Sequence, residues 1–290
     1  MKTAIITGAT SGIGFATTKT LLEQNWRVIG IGHRQERCAQ ARAKLLSLLP
    51  DADVTFLSYD LTNQTQVHLA ADEITTYLKQ NEIAGIDALI LNAGCVRSYY
   101  TTSAEGYEQQ LALNFLSGVL LTHRLLPQLT AVRGRVLWTG SGSHKNMHIH
   151  WDDLMLQKHY NPLSAYKQSK LCAMLFAQGF NQKRKESGVR MYVIGPGLVN
   201  TEIGNKETGG LVRLVWTLRK RRGVSPDVPA QTFAYVCNHM PALEGLYYYN
   251  CALASYSPYA DDPKHIGRMF SASEQLCGVR FENVHKEEAV

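Results

Sequence analysis

The sequence predicts an α/β fold: a doubly wound parallel sheet with helices packed on both of its faces. Three observations carry the prediction. Short β-rich runs alternate with longer helical segments along the 290 residues, the order that right-handed strand–helix–strand crossovers produce. Several of the runs are continuously apolar rather than alternating, the mark of strands covered on both sides. A glycine-rich turn follows the first run directly, outside the carboxyl end of a strand, where such sheets bind ligands.

The elements follow in order. "MKTAIITG" passes from one lysine into a β-branched strand at 3–7 and then a turn, without the apolar stretch and cleavage site of a secretory signal. Further strands are expected at 27–32 ("RVIGIG"), 54–59 ("VTFLSY"), 87–92 ("DALILN"), 135–140 ("RVLWTG"), 189–194 ("VRMYVI") and 245–249 ("GLYYY"). Helices are expected at 14–24, 36–48, 64–80, 105–130 and 163–187. No internal repeat, low-complexity tract or linker breaks the order, so residues 1–290 read as one domain.

Composition narrows the class. Hydrophobic residues make up 45% of the chain, ordinary for a globular protein and an argument against disorder. No apolar run approaches the ~20 residues needed to cross a bilayer. The six cysteines are scattered, without C-x-x-C or histidines at ligand spacing. No disulfide framework and no metal site is expected, and free thiols point to a reducing, cytoplasmic setting. The net charge of +6 suits phosphate-bearing ligands or anionic surfaces without pointing to nucleic acid.

The turn after the first strand reads "TGATSGIG", residues 7–14. Gly8, Gly12 and Gly14 allow a tight turn and close backbone approach to a phosphate, and the helix that follows presents its N–H groups and positive end to the anion. Thr10, Ser11 and Ile13 lie in the same turn and complete the expected cradle.

Here the chain resembles the short-chain dehydrogenases/reductases. Their TGxxxGxG motif matches Thr7, Gly8, Gly12 and Gly14. Asn92, Ala93 and Gly94 match the family's NAG motif after the fourth strand, and Asp60 and Leu61 match the pair beside the adenine. Asn114 stands where the family places a catalytic asparagine. Ser141, Tyr166 and Lys170 match its Ser…Tyr-x-x-x-Lys set. "PGLVNT", with Pro196, Gly197, Val199 and Thr201, matches the PGxxxT motif beside the nicotinamide. The long interval between Ser141 and Tyr166, "SAEGYE" at 103–108 and "FSASEQLCGV" at 270–279 are similar to the retinol dehydrogenase and light-dependent protochlorophyllide reductase branch.

The second strand ends "IGIGHRQER", with His33 and Arg34 and no acid. A carboxylate there would favour NAD(H), whereas an arginine accommodates a 2′-phosphate, so NADP(H) is expected.

In "SAYKQSK", Tyr166 and Lys170 sit four residues apart and share one helix face. A free phenol near pKa ~10 is a poor acid–base group at neutral pH, and an adjacent ammonium is expected to lower it. Tyr166 would then give a proton to a carbonyl oxygen or take one from an alcohol. The resemblance implies that Lys170 also holds the nicotinamide ribose, that Ser141 positions the substrate oxygen, and that Asn114 holds a water linking Lys170 to solvent. Ser143 is the rival of Ser141 in the same turn. His144 is expected to be structural and Cys95 to pack. Trp138 has no functional account from sequence.

The family's substrate lid falls at about 201–226. Leu211, Leu214, Val215 and Leu218 recur at helical spacing, and Arg213, Arg219, Lys220, Arg221 and Arg222 follow as a basic cluster. This segment is expected to cover a lipophilic carbonyl or alcohol substrate, with peripheral membrane contact through 211–222 as the sharper alternative. A homo-oligomer is compatible with the resemblance. The alternatives to an NADP(H)-dependent alcohol dehydrogenase or carbonyl reductase are a non-catalytic dinucleotide sensor on the same fold and an epimerase or dehydratase.

Overall fold

The computed structural model of the chain describes residues 1–199 and 223–281. Seven strands run parallel: β1 (Thr3–Thr7), β2 (Arg27–Gly32), β3 (Val54–Ser58), β4 (Ala88–Leu91), β5 (Arg135–Thr139), β6 (Arg190–Ile194) and β7 (Tyr247–Tyr249). A two-residue strand, β8 (Ala252–Leu253), joins β7 antiparallel at the edge. The sheet order is β3-β2-β1-β4-β5-β6-β7-β8, so the winding reverses between β1 and β4 and opens a crevice at their carboxyl ends.

The continuous apolar runs are explained by the two layers. Ile5, Leu89, Val136 and Val193 face α3 (Gln64–Gln80), α5 (Ser117–Arg124), α7 (Pro162–Lys183) and α9 (Pro263–Cys277), in a core that holds Phe176 and Phe270. Their neighbours Ala4, Ile6, Ile90, Leu137 and Tyr192 face α1 (Gly12–Glu23), α2 (Gln35–Leu48) and α8 (Asp227–Asn238), around Leu21, Leu45 and Phe233. Successive strand side chains point to opposite faces, so both must be apolar.

Several expected boundaries shift. The seventh strand begins at Tyr247 rather than 245, because Gly245 is left-handed at φ +80. The helix expected at 105–130 starts instead with the single turn α4 (Gln109–Leu111), widens into a π turn at Ala112–Leu116, continues as α5, and ends in α6 (Leu126–Ala131). The α7 helix closes at Lys183, before a short 3-10 turn at Lys185–Ser187. Helices α8 and α9 lie where no helix is assigned from sequence. Among the described residues no helix is long and apolar enough to cross a membrane. Thr201, the basic segment 211–222 and most of the expected lid lie outside the described residues.

Candidate active site

The crevice is built from the strand ends. Thr7 Oγ1 accepts hydrogen bonds from the backbone N–H groups of Asn92 and Ala93, both at 2.9 Å. Asn92 Nδ2 donates back to the Thr7 carbonyl at 3.2 Å, and its Oδ1 accepts from Thr139 Oγ1 at 3.2 Å. One asparagine thus pins β1, β4 and β5 together. Gly8 and Gly12 are left-handed, at φ +66 and +56, which only glycine adopts at no steric cost. Helix α1 starts at Gly12 with no acid in its first turn, so its positive end is unopposed.

A cavity of about 980 Å³ runs from this turn, past Asp60 and Leu61, to Ser141 and Tyr166. Of the residues expected at the cofactor, all line it except two. Thr201 lies outside the described residues. Gly14 lies beneath the turn, where an added Cβ would be 2.5 Å from Asn92 Nδ2 and 2.9 Å from the Gly8 carbonyl carbon. Its job is to let helix and strand close up rather than to face a ligand.

On the wall beyond β2, the His33 ring stands 3.7 Å from the Asp60 carboxylate. Arg34 occupies the N-cap of α2, and Arg37, three residues on, lines the same wall. Sequence reasoning passed over Arg37. The signal was its i, i+3 spacing from Arg34.

At the other end, α7 is set in place by Asn161, whose side chain accepts from the N–H groups of Leu163 and Ser164 at 3.0 Å, with Pro162 in the first turn. Fourteen of its 22 residues are buried, so Tyr166 and Lys170 sit on a helix enclosed by core. Lys170 Nζ lies 5.6 Å from the centre of the Tyr166 ring and donates to the Thr139 carbonyl at 2.9 Å. Burial pulls the ammonium down to about 8.

The expectation that Lys170 lowers the phenol is corrected here. Burial pushes Tyr166 up, and the opposing influence is a hydrogen bond with the Ser141 side chain, not the ammonium. Lys170 directs one N–H at the Thr139 carbonyl, and Tyr166, 9% exposed, stands in the wall of the cavity.

Ser141 caps the short 3-10 turn at Gly142–Asn146. Its hydroxyl shares a 2.9 Å hydrogen bond with that of Ser143 and accepts from the Ser143 N–H at 3.3 Å. Ser141 therefore meets the phenol, and Ser143 backs Ser141. His144 is fully buried. Its Nε2 accepts from the Ser257 N–H at 3.3 Å, so Nδ1 carries the proton and donates to the Ser141 carbonyl. Burial lowers its pKa, which keeps this neutral tautomer. Cys95 is pushed up to about 12 by burial, which leaves it without thiolate character.

Asn114 sits in the π turn, 1% exposed. Its Oδ1 accepts from Cys95 N–H at 2.8 Å, and its Nδ2 donates to the Cys95 carbonyl and to Ser169 Oγ, each at 3.0 Å. The side chain is thereby fully committed to joining the loop after β4 to α7. Its backbone carbonyl accepts from Trp138 Nε1 at 3.2 Å.

The interval between Ser141 and Tyr166 folds onto the C-terminal region. Trp151 Nε1 donates to the Tyr259 hydroxyl at 3.1 Å and stacks on His265, with the Arg268 guanidinium 4.5 Å from its ring. Gln168, two residues past Tyr166, accepts from His150 N–H at 2.8 Å and donates to the Leu154 carbonyl at 2.9 Å.

Known proteins resemble this chain in sequence and in fold. The family described as short chain dehydrogenase matches residues 2–210. The chain is 30% identical to human retinol dehydrogenase 13 (Homo sapiens), over 99% of this chain and 87% of that protein. It is 30% identical to retinol dehydrogenase 12 of Bos taurus, over 97% and 88%. Among solved structures, an uncharacterized protein from Mycobacterium Paratuberculosis superposes with a TM-score of 0.76 at 24% identity, over 98% of this chain and 96% of that one. A short-chain dehydrogenase from Sphingobium yanoikuyae in complex with NADPH superposes at 0.64 with 20% identity, over 100% and 99%.

Proposed function

We propose that this chain, which belongs to the short-chain dehydrogenase family, is an NADP(H)-dependent oxidoreductase that moves a hydride between nicotinamide and a lipophilic aldehyde, ketone or alcohol, with Tyr166 as its acid–base group. The observation that carries this reading is the gathering of Ser141, Tyr166 and Lys170 at one end of a cavity whose other end is the glycine turn. The residues fit a dinucleotide. Gly8 and Gly12 line the turn in left-handed conformations, and the positive end of α1 carries no acid. Arg34 and Arg37 offer planar guanidinium forks for a 2′-phosphate, and β2 ends without a carboxylate to repel one.

When bound, the nicotinamide supplies or accepts the hydride. The chain handles the proton and the positioning. The Tyr166 hydroxyl gives its proton to a carbonyl oxygen in reduction and takes one from an alcohol in oxidation. Burial raises its pKa, so the hydrogen bond with Ser141 and the positive charge of a bound nicotinamide would have to offset that rise for proton transfer near neutral pH. Ser141, hydrogen-bonded to that phenol, holds the substrate oxygen beside it. Lys170 would bind the nicotinamide ribose, and with its pKa near about 8 it can pass a proton at neutral pH. Leu113, Leu163 and Leu198 line the cavity and favour an apolar substrate, in keeping with the retinol dehydrogenases among the relatives. Six free thiols suit a cytoplasmic setting.

The test combines NADPH with all-trans-retinal and aromatic aldehydes, following absorbance at 340 nm. Tyr166→Phe should abolish turnover and leave NADPH affinity within roughly twofold, since the lost interaction belongs to the transition state. Tighter binding of NADH would remove the 2′-phosphate argument. Oxidation of NADPH only by small charged carbonyls would remove the lipophilic substrate.

A further inference from the structure

Trp138 is a buried side chain beside the site that the proposed reaction leaves without a role. It stands in β5, one residue before Thr139 and three before Ser141, and is 2% exposed. Its indole stacks on Phe115 with centroids 5.9 Å apart and meets Phe176 edge-on at 6.0 Å. It also fills the space over Gly118, where an added Cβ would lie 2.5 Å from the indole Cζ2. A phenyl ring could do much of that packing. What only the indole supplies is the N–H that Asn114's carbonyl accepts at 3.2 Å.

That carbonyl belongs to the π turn, where the wider winding takes backbone groups out of the regular helical ladder. Across from it, the neighbouring strand supplies the indole N–H that this buried carbonyl accepts. The hydrogen bonds then form a circuit. Asn114 Nδ2 donates to Ser169 Oγ at 3.0 Å. Ser169 is bonded in the chain to Lys170. Lys170 Nζ donates to the Thr139 carbonyl at 2.9 Å, and Thr139 is bonded to Trp138. All five residues are buried.

We propose that Trp138 is a positioning residue for Lys170: its indole N–H locks the π turn at Asn114 against β5, and the closed circuit sets where the ammonium sits beside Tyr166. Only the kinetic readout below rests on the proposed reaction.

The test is Trp138→Phe, which keeps an aromatic ring and removes the donor. Lys170 is followed by ¹H–¹³C NMR of labelled lysine Cε, its signal assigned by loss in Lys170→Arg. Burial pushes the nearby Cys95 thiol up to about 12, clear of the range followed. In the variant the circuit is open and the ammonium is freer to lean into the cavity it lines, so the Lys170 titration should move up, because burial is what holds it down. With an aldehyde that the wild type reduces, kcat should fall roughly tenfold and KM for NADPH change less than about twofold, the size and pattern expected for one lost buried hydrogen bond. A folded Trp138→Phe in which Lys170 titrates as in the wild type overturns the proposal. If the variant does not fold, the wild-type indole decides. The Trp138 Nε1–H resonance should shift with the inflection of Lys170, and a flat response through that range overturns the proposal equally. If no aldehyde is reduced, the proposed reaction fails while both NMR arms still judge Trp138.

Discussion

Gly14→Ala tests the cradle most directly. The added Cβ would stand 2.5 Å from Asn92 Nδ2 and 2.9 Å from the Gly8 carbonyl carbon, and it would press harder still on the Gly8 oxygen. Ordinary contact begins at 3.4 Å, so roughly 1 Å of separation must be found in a close-packed interior. The turn cannot supply it. The Gly8 N–H is tied to the Ile31 carbonyl at 2.8 Å, and Asn92 is held by Thr7 and Thr139. Helix α1 must therefore move. Overpacking of this kind costs about 1–3 kcal/mol, which for a chain of this size lowers Tm by about 2–4 °C per kcal/mol. If α1 holds a cofactor phosphate as proposed, the displaced helix end also weakens that hold. Weakening one charge-assisted hydrogen bond and part of the dipole term costs on the order of 2 kcal/mol, or roughly 30-fold in affinity. Calorimetric melting together with NADPH titration reads both effects. A Gly14→Ala protein that melts within about 1 °C of wild type and binds NADPH equally well would refute the reasoning, since the expected cost is at least ~1 kcal/mol.

Three further outcomes follow from the same geometry. Lys170→Met should abolish turnover yet melt higher near pH 7. Moving the buried ammonium's pKa from 10.5 to about 8 costs about 3 kcal/mol, offset in part by the lost bond to Thr139. The folded pKa is the lower one, so the wild-type penalty is full below about 8 and disappears as pH rises toward 10.5, and the variant's advantage should fade over that window in melts at pH 7 and pH 10. His144 is buried and His123 half-buried, and that burial lowers both pKa values, so stability is full above 6.5 and is lost as pH falls below it. His144→Gln should flatten that slope without removing it, and parallel melting curves for variant and wild type would contradict the assignment. Gly267 lies inside α9 with nothing within 4 Å of an added Cβ, so Gly267→Ala should raise stability by about 0.5–1 kcal/mol in denaturant unfolding. A loss of stability there would show that α9 needs the glycine.

What the sequence by itself determined was whatever depends on near neighbours along the chain. The "TGATSGIG" turn, the apolar runs of β1 to β6 and the four-residue spacing of Tyr166 and Lys170 express backbone geometry and periodicity, which adjacent residues encode. The π turn at Ala112–Leu116 escaped the same treatment, because one extra residue per turn blurs a 3.6-residue pattern. Helix α8 begins next to Pro226 and carries Pro229, and β8 is only two residues long, so neither offers a periodic signal. The tertiary structure alone decided the electrostatics and the partners. Burial pushes the phenol of Tyr166 up, against the lowering that its four-residue spacing from Lys170 predicts. Asn114 spends its side chain on Cys95 and Ser169, and Trp138 takes up its carbonyl. Those groups lie 19 to 55 positions apart in the chain. Only folding brings them to contact distance and removes the water that would otherwise level their pKa values.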